Sequence, residues 1–477
     1  MNKINDFNLK GKLDILHLQS NVKTAFLILY IIVLAFTVLF GVYLLTYFLF
    51  IFLFLIVASS LGGYKFFDKI VSSPTWQKIL MIFMFAFILR ALMLGQTQII
   101  CEDLENYIYR SENLLDGRIP YTEYDGGSKP PLYQYMLYLM GFVFTPGKVQ
   151  FRAVFSVFDS LIAVALYFLC KTKYDERFSV VASLIYALFP VGIISIGLSG
   201  HYDPVVILFT LFAMLMLLKN RLGLSSLSLG TAFALKLYPI VLLPFFLTTI
   251  KTWRSRIIYT ILFLVPSIAS HGLLYILSPD AFFEYFAVQS KWDGSSAFSS
   301  TIETILGTST IFSIKISWLG FLFFGFLNLL LLLDWLSPNR HKNLIKWFKI
   351  IIVIYMIYYG FYLIYGVLYY GGPLYMALIL AEIYFLFMVF ILHKYLDIIA
   401  PKSLTDFDSE GLFVVSTFSI MLFIFGLPNY VIWYFLWFLP FLLAIKTDRI
   451  RYILLWLFPW HGIGQNVSLA PGTPPVN

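Results

Sequence analysis

Charge is scarce in this chain. Of 477 residues only 12% are Asp, Glu, Lys or Arg, whereas 60% are hydrophobic and the mean hydropathy is +0.85. That composition excludes a water-soluble fold, which would leave large apolar patches exposed, and predicts an all-α polytopic membrane protein of about 13–14 transmembrane helices. Cysteine is nearly missing: Cys101 and Cys170 cannot form a thiolate cluster. The six histidines show no His-Glu-x-x-His spacing, so no resident metal centre is indicated beyond a single divalent cation that Asp203 could bind. A glycine-rich phosphate loop is absent. So are internal repeats, which a transporter or lipid flippase, the competing class, is expected to carry. Residues 1–23 hold four lysines but no long apolar run and no small-residue cleavage site, so no cleavable signal peptide is expected and this segment reads as cytoplasmic.

What is abundant is aromatic: 19% of the chain, with 50 Phe and 32 Tyr, as suits lipid-facing and interfacial positions. The net charge of +8 calls for no nucleic acid, because Lys and Arg collect in short cytoplasmic loops. From Thr24 to Ser59 there is no charge, and the run reads either as a hairpin turning near Gly41 or as one long tilted helix. The hairpin, over 24–75, returns the chain to the cytoplasm at Lys65, Lys69 and Lys78, so the next span, near 79–99, crosses outward. The basic clusters at 171–177, 219–221, 251–256, 339–342 and 446–451 then all fall inside, joined by helices near 150–170, 178–198, 204–218, 257–278, 313–333, 347–366, 373–392, 411–427, 430–445 and 452–460. A disulfide between Cys101 and Cys170 is excluded in this topology, since they lie at opposite membrane faces.

Residues 222–250 break the pattern, because they begin and end beside cytoplasmic clusters yet contain Lys236 and Pro239 in ALKLYPIVLLP. They read as two half-helices meeting at LKLYP, an arrangement tolerated at depth only where protein or a cavity satisfies the backbone. A lysine at such a tip points to a site; the alternative is that it snorkels to the headgroups.

Polar chemistry gathers on the external side. The only long polar stretch, residues 101–131, opens with Glu102, Asp103 and Glu105, and Asp203 follows a later outward helix in GHYDP. An acid between an aqueous mouth and an apolar wall keeps its charge while losing part of its hydration, which suits a general base. Asp203 has three readings: orienting a ligand, holding a cation, or capping the helix that Pro204 begins. Tyr107, Tyr109, Tyr121 and Trp433 read either as stacking platforms or as interfacial anchors. Asp159, alone in an apolar helix, reads as a buried partner of another charge.

DLENY at 103–107, LLDGRIPY at 114–121, KPPLYQY at 129–135, FRAVFSVFDSLIAVALYFL at 151–169, GHYDP, ALKLYPIVLLP and PNYVIWYFLWFLP occur in that order. Together they resemble the glycosyltransferase C superfamily, closest to polyprenyl-phosphate-mannose-dependent mannosyltransferases of bacteria and archaea and to the GPI mannosyltransferase catalytic-subunit family. His201 stands where that group commonly has Gln, and 279–312 has no counterpart. The resemblance implies a catalytic module at 76–250, a C-terminal transmembrane module at 251–460 and a tail at 461–477. It implies an inverting enzyme of the cell membrane that moves a sugar, mannose by analogy, from a polyprenyl-phosphate donor to a lipid or glycan acceptor on the external face. A lipid-linked donor agrees with the missing phosphate loop. Asp103 is the implied base. Lys236, helped by Arg118 or His201, is the implied phosphate ligand, and Glu102, Tyr121, Lys129, Asp203, Tyr238 and Trp433 complete the implied substrate contacts.

Overall fold

The computed structural model describes residues 20–41, 44–60, 66–96, 103–290, 310–311, 314–337, 343–344, 346–351, 353–354, 409–426 and 434–446. Glu102, Trp433, Cys101 and the expected helices near 373–392 and 452–460 lie outside them, as does most of 347–366. The described part is helical, apart from a two-residue antiparallel pair in which Thr310 faces Lys315. It is an all-α polytopic membrane protein.

The described part begins with two helices, α1 (Ser20–Phe40) and α2 (Leu44–Ser60), and α1 ends at Gly41, whose φ of 89° a side chain would oppose. The short α3 (Phe66–Ser72) leads into α4 (Thr75–Ala91). After the polar helix α5 (Asp103–Leu115) come α6 (Pro131–Phe144), α7 (Lys148–Lys171) and α8 (Glu176–Ala187). The single helix expected over 178–198 is instead broken: Pro190 starts α9 (Pro190–Gly192), which runs into a π-helical turn, Ile193–Leu198, and the axis bends by 47°. Proline removes the donor that would continue the ladder, and π turns concentrate at functional sites. Here the turn delivers Gly200 and His201.

Next stand α10 (Asp203–Leu218), α11 (Leu222–Leu235), a 3-10 segment (Tyr238–Leu242), α12 (Leu243–Thr249), α13 (Trp253–Leu277) and α14 (Pro279–Ser290). The last described helices are α15 (Ile316–Leu336), α16 (Ser409–Gly426) and α17 (Phe435–Leu443). Among the described residues α7 and α13 are each long and apolar enough to cross a membrane, and the bent pair over 176–198 reaches that length and hydropathy only when its two halves are taken together. Others are shorter: 16 residues of α10 rise about 24 Å, below a typical hydrocarbon thickness of about 30 Å.

Side-chain contacts fix the direction of each helix. Ser225 hydroxyl donates to Ala213 carbonyl and Ser228 to that of Phe209, so α10 and α11 are antiparallel. Ser225 also meets Tyr259, and Phe233 stacks on Phe263, so α11 and α13 run parallel. The segment between them must therefore return, as the half-helix reading requires. Small residues let α11 and α13 touch: a Cβ on Gly230 would come within 2.1 Å of the Phe263 carbonyl oxygen.

These directions sort the molecule into two ends. At one, Glu176 bridges Lys78 and Lys171, both at 2.6 Å, Arg177 pairs with Asp68, and Lys446 lies 3.8 Å from Asp175. All belong to or adjoin the basic clusters. At the other end lie the start of α5, the turn at 198–203, the break at 236–238 and Tyr434, and there Asp103, Lys129, His201, Asp203 and Lys236 sit. Between the ends, Asp159 accepts from Arg90 Nε at 2.6 Å and from the Tyr186 hydroxyl at 2.5 Å, with Arg90 and Asp159 both fully buried. Arg90 also donates to the Ala187 carbonyl. The charge pairing read from Asp159 is thus observed, and it rivets α4, α7 and α8 together.

Candidate active site

Asp103 begins α5, so its carboxylate lies at the helix N-terminus, where the helix dipole favours negative charge. Oδ2 is 3.4 Å from Nδ1 of His201, whose side chain is 1% exposed against 35% for Asp103. His201 is held there by the left-handed Gly200, φ 68°, where a Cβ would come within 2.9 Å of Leu104 on α5. Burial acts to raise the Asp103 carboxyl, but the hydrogen bond and charge from His201, with the charges of Lys129 and Lys236, outweigh it. They hold Asp103 well below the usual carboxylate range.

The second acid is bound differently. Asp203 Oδ1 accepts from Lys236 Nζ at 2.7 Å and from Trp437 Nε1 at 2.6 Å, and its side chain is 1% exposed. Of its three sequence readings, capping is not what the carboxylate does: Tyr202 occupies the N-cap position of α10, and the Asp203 carboxylate, one residue inside the helix, turns inward to Lys236 and Trp437. Lys236 is extended, φ −158°, between α11 and the 3-10 segment, which frees its stem to reach across. Its ammonium also lies 4.5 Å from the Trp437 ring centroid, 5.1 Å from that of Tyr202 and 5.2 Å from that of Tyr434. A carboxylate and three aromatic faces cage it, so it does not snorkel. Tyr238 backs the cage, stacked on Trp437 at 4.2 Å.

Lys129 approaches the same Tyr202 ring, at 5.5 Å, and among the described residues no carboxylate lies within ion-pair distance of it. Burial and then the neighbouring Lys236 lower its ammonium from the ordinary value, against opposing pulls from Asp103 and Asp203. The polar loop is built to place it. The Tyr121 hydroxyl donates to the Lys129 carbonyl at 2.5 Å, Gln134 Nε2 to that of Gly126 at 2.8 Å and Arg110 Nε to that of Asp125 at 3.2 Å. Tyr121 is left-handed, φ 73°, and Gly126 lies flat against its ring, where a Cβ would come within 2.4 Å. Tyr121 therefore positions Lys129.

A cavity of about 830 Å³ joins these groups, with Lys129, Lys236, Tyr202 and Trp437 at one side. Its other wall, His271, Gly272, Tyr275, Phe282, Tyr285 and Phe286, comes from α13 and α14. Asp103 does not line it but sits beside it, linked through His201 to the Tyr202 backbone.

Of the sequence candidates, the structure gathers Asp103, Lys129, His201, Asp203, Lys236 and Tyr238, with Tyr121 behind them. Arg118 is not brought in: it is exposed and donates to Asn113 Oδ1 at 3.0 Å, tying its own turn. Tyr107 is no platform, being 1% exposed and edge-on to Tyr133, Tyr202 and Phe155. Tyr109 is half exposed and edge-on to Tyr124. Sequence reasoning passed over Tyr202, Tyr434, Trp437 and the aromatics of α14. The i, i+3 spacing of Tyr434 and Trp437 was the available signal, since it puts both on one helix face. Among the described residues no three His, Cys, Asp or Glu side chains gather as a metal site.

No curated protein and no solved structure matches the chain. Residues 130–353 match the model of glycosyltransferase family 87, a span that includes His201, Asp203, Lys236 and the α13–α14 wall, and the match supports a membrane glycosyltransferase.

Proposed function

We propose that this protein transfers a sugar, mannose by resemblance, from a polyprenyl-phosphate donor to a hydroxyl of a lipid or glycan acceptor, with inversion, on the external face of the cell membrane. The observation that carries the reading is the convergence of two lysines, Lys129 and Lys236, over the Tyr202 ring at an aromatic cavity, with the partly open carboxylate of Asp103 against the adjoining His201. A lipid phosphate fits the lysine side of that cavity, and its apolar tail fits the aromatic side. An acceptor fits the open face of Asp103.

In the proposed reaction Asp103 takes the proton of the acceptor hydroxyl as its oxygen bonds to the anomeric carbon. The bond from that carbon to the phosphate oxygen breaks, and the phosphate keeps the electron pair. The departing phosphate gains a negative charge, so cations fixed beforehand favour the transition state over the bound donor. Lys129 is the cation best placed for this, since Lys236 is already neutralised by Asp203. The role of Lys236 is to complete the cage and add its share of field, and that of His201 is to keep Asp103 ionised and oriented.

The test is transfer of radiolabelled sugar from polyprenyl-phosphate-mannose to membrane lipids and glycans by purified protein. Transfer by the wild type supports donor and class together. Activity with soluble nucleotide sugars alone would sink the lipid-donor reading.

A further inference from the structure

A second cavity, of about 500 Å³, lies at the opposite end of the molecule between α12, the start of α13 and the end of α15. Its rim is apolar and exposed: Trp253 is 72% exposed, Ile257 43%, Ile261 57% and Leu336 59%. In a membrane-spanning chain such a rim suits acyl chains. The mouth is cationic. Arg256 lines the cleft one helical turn inward from the interfacial Trp253, and Lys251 and Arg254 are exposed beside it. Residues 244–261 contain three basic residues and no acid.

Nothing described neutralises that charge. Arg256 Nε donates to the Ile250 carbonyl at 2.8 Å, which fixes the side chain and leaves the outer guanidinium nitrogens directed elsewhere than to a carboxylate. On α15, Asp334 is committed to Trp347 Nε1 at 2.8 Å and Asn343 Nδ2 at 3.2 Å. Thr248, also in the lining, accepts from Trp335 Nε1 at 2.8 Å. A planar, always charged group at headgroup depth above an apolar slot matches one ligand chemistry: a phosphate on two acyl chains with net negative charge.

We propose that this cleft binds one anionic phospholipid of the leaflet opposite the catalytic cavity, its phosphate on Arg256. The site is independent of the glycosyltransferase reading. Its occupant packs against α12, the returning half of the broken segment that carries Lys236.

The test uses the full-length protein, delipidated in neutral detergent and titrated with phosphatidylglycerol or phosphatidylcholine of the same acyl chains, with binding read by native mass spectrometry. Wild type should bind the anionic lipid more tightly, and Arg256→Gln should weaken it by about five-fold, the effect of one cation at a membrane surface. Arg256→Lys should retain most of the preference. Arg221→Gln, at the same end but outside the cleft, should bind like wild type. If Arg256→Gln does not fold, Ile261→Trp, which fills the slot from its exposed side, decides the matter by abolishing the tight site. Equal affinity for the two lipids in the wild type, or undiminished binding by Arg256→Gln or by Ile261→Trp, overturns the proposal.

Discussion

Lys236 and Asp203, 33 positions apart, meet at 2.7 Å where two broken helices face each other, and the indole N–H of Trp437 shares the same carboxylate oxygen. Neither charge is explained without the other. Removing the lysine alone leaves a buried carboxylate unpaired, so Lys236→Ala should cost about 3–5 kcal/mol of stability. The double variant Asp203→Asn, Lys236→Met should recover most of that loss in thermal unfolding while transfer stays low. Recovery of activity along with stability would mean the pair is structural only.

Asp103→Asn preserves shape and removes the proposed base. Transfer should fall by about 10²–10⁴ in kcat while the protein still folds, with a lowered unfolding temperature from the lost pull of His201 and the lysines on the carboxylate. Turnover within a few-fold of wild type would exclude Asp103 as the base.

The acid limb of the pH profile should lie low. Because the Asp103 carboxyl is held below its ordinary value of 3.8, the base stays ionised through neutral and mildly acidic pH. Its contribution to stability has the same sign: present above the ordinary value, and lost as pH falls through the depressed folded one. In His201→Ala the burial that raises the carboxyl loses its main opponent, so the acid limb of kcat/KM should move upward. An unmoved limb would show that His201 does not govern Asp103.

Arg90 and Asp159 stand apart from the site, and their loss should read out in stability alone. Arg90→Met should destabilise by about 3–5 kcal/mol, and adding Asp159→Leu should restore much of it. Residual transfer by the folded double variant, measured below its unfolding temperature, should match wild type.

Gly272 differs from the glycines that permit close packing, since no atom lies within 4 Å of where its Cβ would be and it lines the cavity shared with Lys129 and Lys236. Gly272→Leu should fold normally and raise KM for the lipid donor several-fold, as measured by steady-state transfer.

Much of this was readable from the chain. Hydropathy and charge gave the class, and the basic clusters sorted helix ends that the ion pairs around Glu176 now occupy. Lys236 was legible because an isolated charge beside proline in an apolar run has few tolerable positions. Tyr202 was not, because one aromatic among 19% carries no signal until a fold sets it against a cation, and the i, i+3 spacing of Tyr434 and Trp437 marks a shared face without saying what that face meets. Arg118 misled for a related reason. Composition marks it as a free cation, and only the turn geometry shows that Asn113 holds it. The bend at Pro190 was missed, since 178–198 reads as one apolar run, and the π turn beyond it depends on packing that local sequence does not encode.

The cage around Lys236 also has an optical side. An ammonium 4.5 Å from the Trp437 centroid places a strong electric field across that indole, and any anionic ligand that draws the ammonium away changes the field. Trp437 is thus a built-in gauge of occupancy: its emission should shift as the cavity fills, without label or turnover.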